Sequence, residues 1–152
     1  MCKICCFIGH GDYWYDSDVR VSLYEIAEKL ILFHDVKTFW VGKYGDFDRI
    51  VREMLRELKA KYRDIKIEII VPYLTKDLEM FYQDFSKSYD GILLADVPEK
   101  TPHKLKIIKC NEYMVNNSMF MICFVKYSWG GAAKIFEYAK RKKHIQVFNI
   151  AK

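Results

Sequence analysis

The sequence predicts an α/β domain of three layers, with a mostly parallel five-stranded sheet held between two layers of helices. Two observations predict the class. Short β-branched and aromatic runs alternate with amphipathic stretches of helical period, and parallel strands need such crossovers to be joined. Glycine stands at several junctions where a strand gives way to a helix. A third observation bounds the size: 152 residues is close to the commonest length of one domain, so residues 1–152 read as a single unit.

The elements follow in order. Lys3 to Ile8 is a buried strand that stops at Gly9. Asp16, Ser17 or Asp18 can cap a helix whose apolar face runs Val21, Leu23, Tyr24, Ile26, Ala27, Leu30 and Ile31. Val36 to Val41 is the second strand, ended by Gly42. Phe47, Ile50, Val51, Met54, Leu55 and Leu58 then repeat at intervals of three and four, the mark of an amphipathic helix. Ile65 to Val71 is the third strand, ended by Pro72, which has no donor for a ladder. The stretch from Leu74 to Pro102 is the least periodic: a helical turn is expected around Leu78 to Phe85, and the apolar run Ile92 to Ala95 stays unassigned. Lys104 to Val115 reads as a helix, Met119 to Val125 as the fourth strand, Gly131 to Lys142 as a helix and Ile145 to Ile150 as the fifth strand.

Composition narrows the classes. A hydrophobic share of 51% beside 30% charged residues argues against a disordered chain. The run Met119 to Val125 is far short of the roughly 20 apolar residues of a membrane span. The N-terminus lacks a basic-then-apolar signal pattern, so a cytoplasmic protein without a membrane partner is expected. The net charge of +5 is modest and scattered, which argues against nucleic acid as the favoured partner. Its densest part, Lys140, Arg141, Lys142, Lys143 and His144, suits the negative end of a helix dipole. Five cysteines without a secretion signal argue against a disulfide framework. Cys2, Cys5 and Cys6 resemble the start of a metal knuckle, but no second Cys or His pair answers them, so neither a metal site nor a cofactor is expected.

In an open parallel sheet the ligand lies beyond the carboxyl ends of the strands. Three segments land there: Gly9-His10-Gly11-Asp12, then Gly42-Lys43-Tyr44-Gly45-Asp46-Phe47-Asp48, and Ser128-Trp129-Gly130-Gly131-Ala132-Ala133. Glycine at such a turn serves tight chain packing as readily as ligand approach. The third segment carries the stronger signal. Its helix start has almost no side chain, so free N–H groups and the positive end of the dipole face the cleft, an arrangement suited to phosphate. Trp129 offers a stacking platform beside it. His10 has a reference pKa near neutrality and reads as an acid or base, or else as a hydrogen-bonded turn residue. Asp46 and Asp48 straddle a helix start, where capping and dipole complement are alternative roles. Lys43 is a candidate anion partner, and Glu25 and Glu137 lie within helices.

The strand and turn Cys5-Cys6-Phe7-Ile8-Gly9-His10, the stretch Phe39-Trp40-Val41-Gly42 running through Gly45 to Asp48, the segment Asn111-Glu112-Tyr113-Met114 with Asn117-Ser118, and Ser128 to Ala133 with Glu137 and Ala139 together resemble a small family of bacterial and phage-encoded SLOG-like proteins, within the wider DprA/lysine-decarboxylase-like Rossmannoid superfamily. The resemblance implies a Rossmann-like fold that binds nucleotides or nucleotide-derived signals. Some relatives are phosphoribohydrolases, and others sense cyclic ADP-ribose-like signals in phage defence. It further implies that Gly130-Gly131 cradles phosphate or ribose, that the loop from Gly42 to Asp48 forms the opposing wall, that Gly9 and His10 floor the cleft, and that Asn111 hydrogen-bonds from the side. Two positions depart from the pattern: relatives carry arginine where this chain has Gly11 and Cys110, and neither replaces a bidentate guanidinium on phosphate. The Gly-Gly-x-Gly-Thr-x-x-Glu motif of the hydrolases is also incomplete.

These features predict a protein that binds a nucleotide-derived small molecule, as a sensor or a sequestering protein. The rival class is a nucleoside or nucleotide N-glycosidase or deoxyribosyltransferase. It would need a carboxylate near the anomeric carbon, with Glu25, Asp46, Asp48 and Glu137 as candidates. Homo-oligomerisation is expected, since related domains pair through helix faces.

Overall fold

Tight turns cannot join parallel strands, so the crossovers carry the helices and fix the layers. The computed structural model describes residues 3–77 and 89–152. Its strands are β1 (Ile4–Gly9), β2 (Thr38–Gly42), β3 (Lys66–Val71), β4 (Gly91–Leu94), β5 (Phe120–Phe124) and β6 (Gln146–Asn149). They form one sheet in the order β4-β3-β2-β1-β5-β6, and every pairing is parallel. Among the described residues the helices are α1 (Ser17–His34), α2 (Asp46–Lys61), α3 (His103–Asn116) and α4 (Gly131–Lys140). This is a Rossmann-like α/β fold.

Two cores cover the two faces of the sheet. On one, Leu23, Ala27 and Leu30 of α1 and Val51, Met54, Leu55 and Leu58 of α2 pack on Phe7, Phe39 and Ile67. On the other, Met114 and Val115 of α3 and Ile135 and Ala139 of α4 pack on Cys6, Trp40 and Met121. Side chains alternate along a strand, which sends Cys5 into the first core and its neighbour Cys6 into the second. The buried residues of α2 are the six whose spacing predicts the helix. The buried line of α1 is narrower than its apolar pattern, and Val21 is exposed. Asp16 caps α1, its carboxylate accepting the Val19 N–H at 3.1 Å.

The sheet has six strands where the sequence predicts five. The added strand, β4, comes from the apolar run left unassigned. It is four residues long, sits at the edge and leaves Leu94 exposed, so neither length nor alternation announces it. Asp90 holds its entry, accepting the Ile67 N–H at 2.7 Å and an ion pair from Lys59 at 2.9 Å. The helical turn expected at Leu78 to Phe85 falls outside the described residues. Among the described residues, no helix is long and apolar enough to cross a membrane.

From β1 the chain steps outward through β2, β3 and β4, then returns to place β5 on the other flank of β1. That reversal opens a crevice beyond the carboxyl ends of β1 and β5, the place where sheets of this kind hold ligands.

Candidate functional site

A cleft of about 510 Å³ occupies the crevice, within the range of small-molecule sites. Loops following β1, β2 and β5 line it, and α3 closes it from the side through Ile107, Cys110, Asn111 and Met114.

The first two loops are locked to each other. The Phe47 ring fills the space where a Gly9 side chain would stand, and the Asp48 carboxylate does the same at Gly42. Gly45 has φ +95°, and a Cβ there would lie 2.8 Å from the Gly11 Cα. Across that contact the Asp46 N–H donates to the Gly11 carbonyl at 2.7 Å, and the Asp46 side chain accepts the Tyr13 N–H at 3.3 Å. Asp46 therefore ties the two loops together.

His10 is a joint as well as a lining residue. Its Nε2 accepts the Lys126 N–H at 2.9 Å, which places the ring proton of the neutral imidazole on Nδ1, and burial lowers its pKa. Lys43 pairs with Asp77 at 2.6 Å, and hydrogen bonds from Lys43 and Thr75 hold the Asp77 carboxyl down at about 2. The Arg52 guanidinium donates to the Gly42 and Lys43 carbonyls at 3.1 Å each, bracing the same loop from behind.

Asp48 is half-buried, with part of its surface open to the cleft. Burial pushes its pKa up to about 7, against the pull of Arg52 and of the Tyr44 N–H that it accepts. Cys110 stands near it, its thiol pushed up to about 12 by burial and by the Asp48 charge.

The β5–α4 loop is built differently. Gly130 has φ +92°, and neither Gly130 nor Gly131 has an atom within 4 Å of the place a Cβ would take. No side chain caps α4, so its first N–H groups open toward the cleft that Gly130, Gly131 and Ala132 line. Trp129 is 67% exposed and stacks on Tyr127, with ring centres 4.7 Å apart and planes 20° apart. Tyr127 in turn lies 5.0 Å from the His10 ring.

Of the residues singled out in the sequence, Gly9, His10, Gly11, Gly42, Lys43, Tyr44, Gly45, Asn111, Trp129, Gly130, Gly131 and Ala132 line this one cleft, whereas Asp46 and Ser128 do not. Among the four candidate carboxylates only Asp48 reaches it. Glu25 lines a groove with Arg20 and Glu57, and Glu137 pairs with Lys140 at 3.0 Å on an exposed helix face. The basic cluster from Lys140 to His144 sits at the other end of α4, about 15 Å from the cleft by helix rise. Sequence reasoning missed Ile107 and Tyr127. The signal for Tyr127 was its place two residues before Trp129, on the same loop.

No protein-family profile matches the chain, and no curated protein matches it. Among solved structures, the chain is similar to the X-ray structure of DNA processing protein A (DprA) from Streptococcus pneumoniae, with a TM-score of 0.65 and 14% sequence identity. The match covers 97% of this chain and 50% of that one, so the chain spans half the length of that structure. At this identity the likeness establishes the shared Rossmann-like fold.

Proposed function

We propose that the protein binds a nucleotide or nucleotide-derived small molecule in this cleft, as a sensor or sequestering protein of the SLOG-like kind. One observation carries the reading: the uncapped start of α4 opens into the cleft at two glycines with unfilled space around them, beside the stacked Tyr127–Trp129 pair. Backbone N–H groups at a helix start suit phosphate, and an exposed aromatic pair suits a base. Lys43, the cation of the lining, is engaged by Asp77, so the helix start is the better anion site. Cyclic ADP-ribose-like signals are among the ligands this combination would accept.

The test is to purify the protein from the cell that makes it, denature it, and identify released small molecules by mass spectrometry, beside a thermal-shift screen of nucleotides and cyclic ADP-ribose analogues. An intact nucleotide-like ligand is expected, with its stabilisation abolished in Gly131→Asp, where a carboxylate meets the anion. Release of DNA fragments instead would move the reading toward nucleic acid.

A second reading, an N-glycosidase, is favoured by Asp48, the candidate carboxylate that reaches the cleft. Free base accumulating during incubation with nucleotides, and its loss in Asp48→Asn, would put that reading first.

A further inference from the structure

The cleft has two chemically different ends. At the α4 end there are free N–H groups and no carboxylate at the helix start. Near Asp48 stand the Cys110 thiol and, next to it on α3, the Asn111 carboxamide. A phosphate placed against Asp48 would meet like charge whenever that carboxyl is ionised, so the anion belongs at the α4 end. What suits Asp48 is a neutral donor. A carboxyl reached from the cleft, braced by the Tyr44 N–H and backed by Gly42, offers oxygen acceptors to adjacent hydroxyls. In Rossmann sheets generally, an acidic residue can hold a ribose hydroxyl in this way.

We propose that Asp48, helped by Asn111, is the specificity-determining residue of the cleft and reads the vicinal hydroxyls of the ligand's ribose, while the phosphate lies at the start of α4. The inference rests on the nucleotide reading above and deepens it. The site selects ribonucleotides over their deoxy counterparts, and a neutral sugar edge takes the place of the second anion contact.

The probes are adenosine 5′-monophosphate and its 2′,3′-dideoxy analogue, titrated by calorimetry into the wild-type protein, Asp48→Asn and Asp48→Ala. Wild type is expected to prefer the ribonucleotide by roughly ten- to a hundredfold, the worth of hydrogen bonds to a charged group. In Asp48→Ala the preference falls to within about twofold. The preference should also grow from pH 6 to pH 8 in wild type, because hydroxyl donors favour the ionised carboxylate, and this growth should vanish in Asp48→Asn. The other groups facing Asp48 do not titrate in that window in a way that mimics it. Arg52 on its own helix carries a permanent charge. Cys110 from α3 is pushed up to about 12, and Tyr15 from the β1–α1 loop is raised far above its usual value. His10 also lines the cleft and has its pKa lowered by burial, and the Asp48→Asn arm, which keeps His10, separates its titration from that of Asp48. Equal affinity of wild type for the two nucleotides, or a preference that survives both substitutions, overturns the inference and leaves nucleotide binding standing. If neither nucleotide binds, the reading beneath it falls and the inference falls with it.

Discussion

The two walls of the cleft are both rich in glycine, for opposite reasons. On the β1 and β2 side, Gly9, Gly42 and Gly45 are small because the protein fills the space: a ring lies against the first, a carboxylate against the second and another backbone against the third. On the β5 side, Gly130 and Gly131 are small with nothing packed against them. A glycine that makes room for its own fold is structural. Gly130 also answers to its φ of +92°, which leaves Gly131, with empty space around it in the cleft lining, as the place where a ligand is expected. The same residue type, at the same kind of strand-to-helix junction, thus carries two meanings that only the neighbours distinguish.

The largest expected effect lies in the packed wall, at Asp48. Burial raises its folded pKa to about 7 from 3.8. Between those values the unfolded chain has given up its proton while the folded carboxyl keeps it, so stability falls as pH rises through this window and levels off above 7. Removing the charge should restore at most about 4 kcal/mol at pH 8, and several degrees in melting temperature, because the cleft leaves the carboxyl partly solvated. Asp48→Asn is therefore expected to melt well above wild type at pH 8 and level with it near pH 4. A variant no more stable at pH 8 would mean that Arg52 and the Tyr44 N–H fully offset the burial cost, and the contrast between a strained wall and an open one would lose its strongest member.

Next in size is Gly9→Ala, also in the packed wall. The new methyl must displace the Phe47 ring, which is buried against β1 at the start of α2. Overpacking of this kind costs about 3 kcal/mol. Urea denaturation should report the loss, and an unchanged midpoint would show that Phe47 moves aside freely.

This contrast also marks how far the sequence could be read. The alternation of elements and the apolar face of α2 were legible because period and composition act locally, residue by residue. Strand β4 was not, since a four-residue edge strand owes its existence to the partner β3 and to Asp90 reaching Ile67. The cleft was legible as three glycine-bearing loops, because chain topology brings strand ends together whatever their side chains are. The roles within it were not. Asp46 and Asp48 differ by two positions in α2, yet one binds the Tyr13 amide and the other faces the cleft, and His10 finds its partner 116 residues away at Lys126. Such roles are decided by long-range contacts that no local pattern encodes.

A smaller effect is expected at Trp129, in the open wall. The ring is exposed and rests on Tyr127, so Trp129→Ala should leave the melting temperature within about 2 °C of wild type. Base stacking of one ring is worth about 1–3 kcal/mol, so nucleotide affinity should drop about tenfold or more. Affinity that stays constant in a calorimetric titration would remove the base from this loop and move it elsewhere along the cleft.

The smallest effect on stability, and the sharpest test of the contrast, belongs to Gly131→Ala. Unlike Gly130, Gly131 does not have a positive φ, and a Cβ on it meets no atom within 4 Å. Alanine also narrows the freedom of the unfolded chain, which stabilises a compatible site by up to about 1 kcal/mol. Gly131→Ala should therefore be as stable as wild type or slightly more so, in opposition to Gly9→Ala. Its affinity for an anionic ligand should fall, because the methyl takes space that the ligand uses at the first N–H groups of α4. If Gly131→Ala instead loses as much stability as Gly9→Ala, the glycines of the two walls have the same structural cause. If it keeps both stability and ligand, the empty space at the start of α4 is not where the ligand sits.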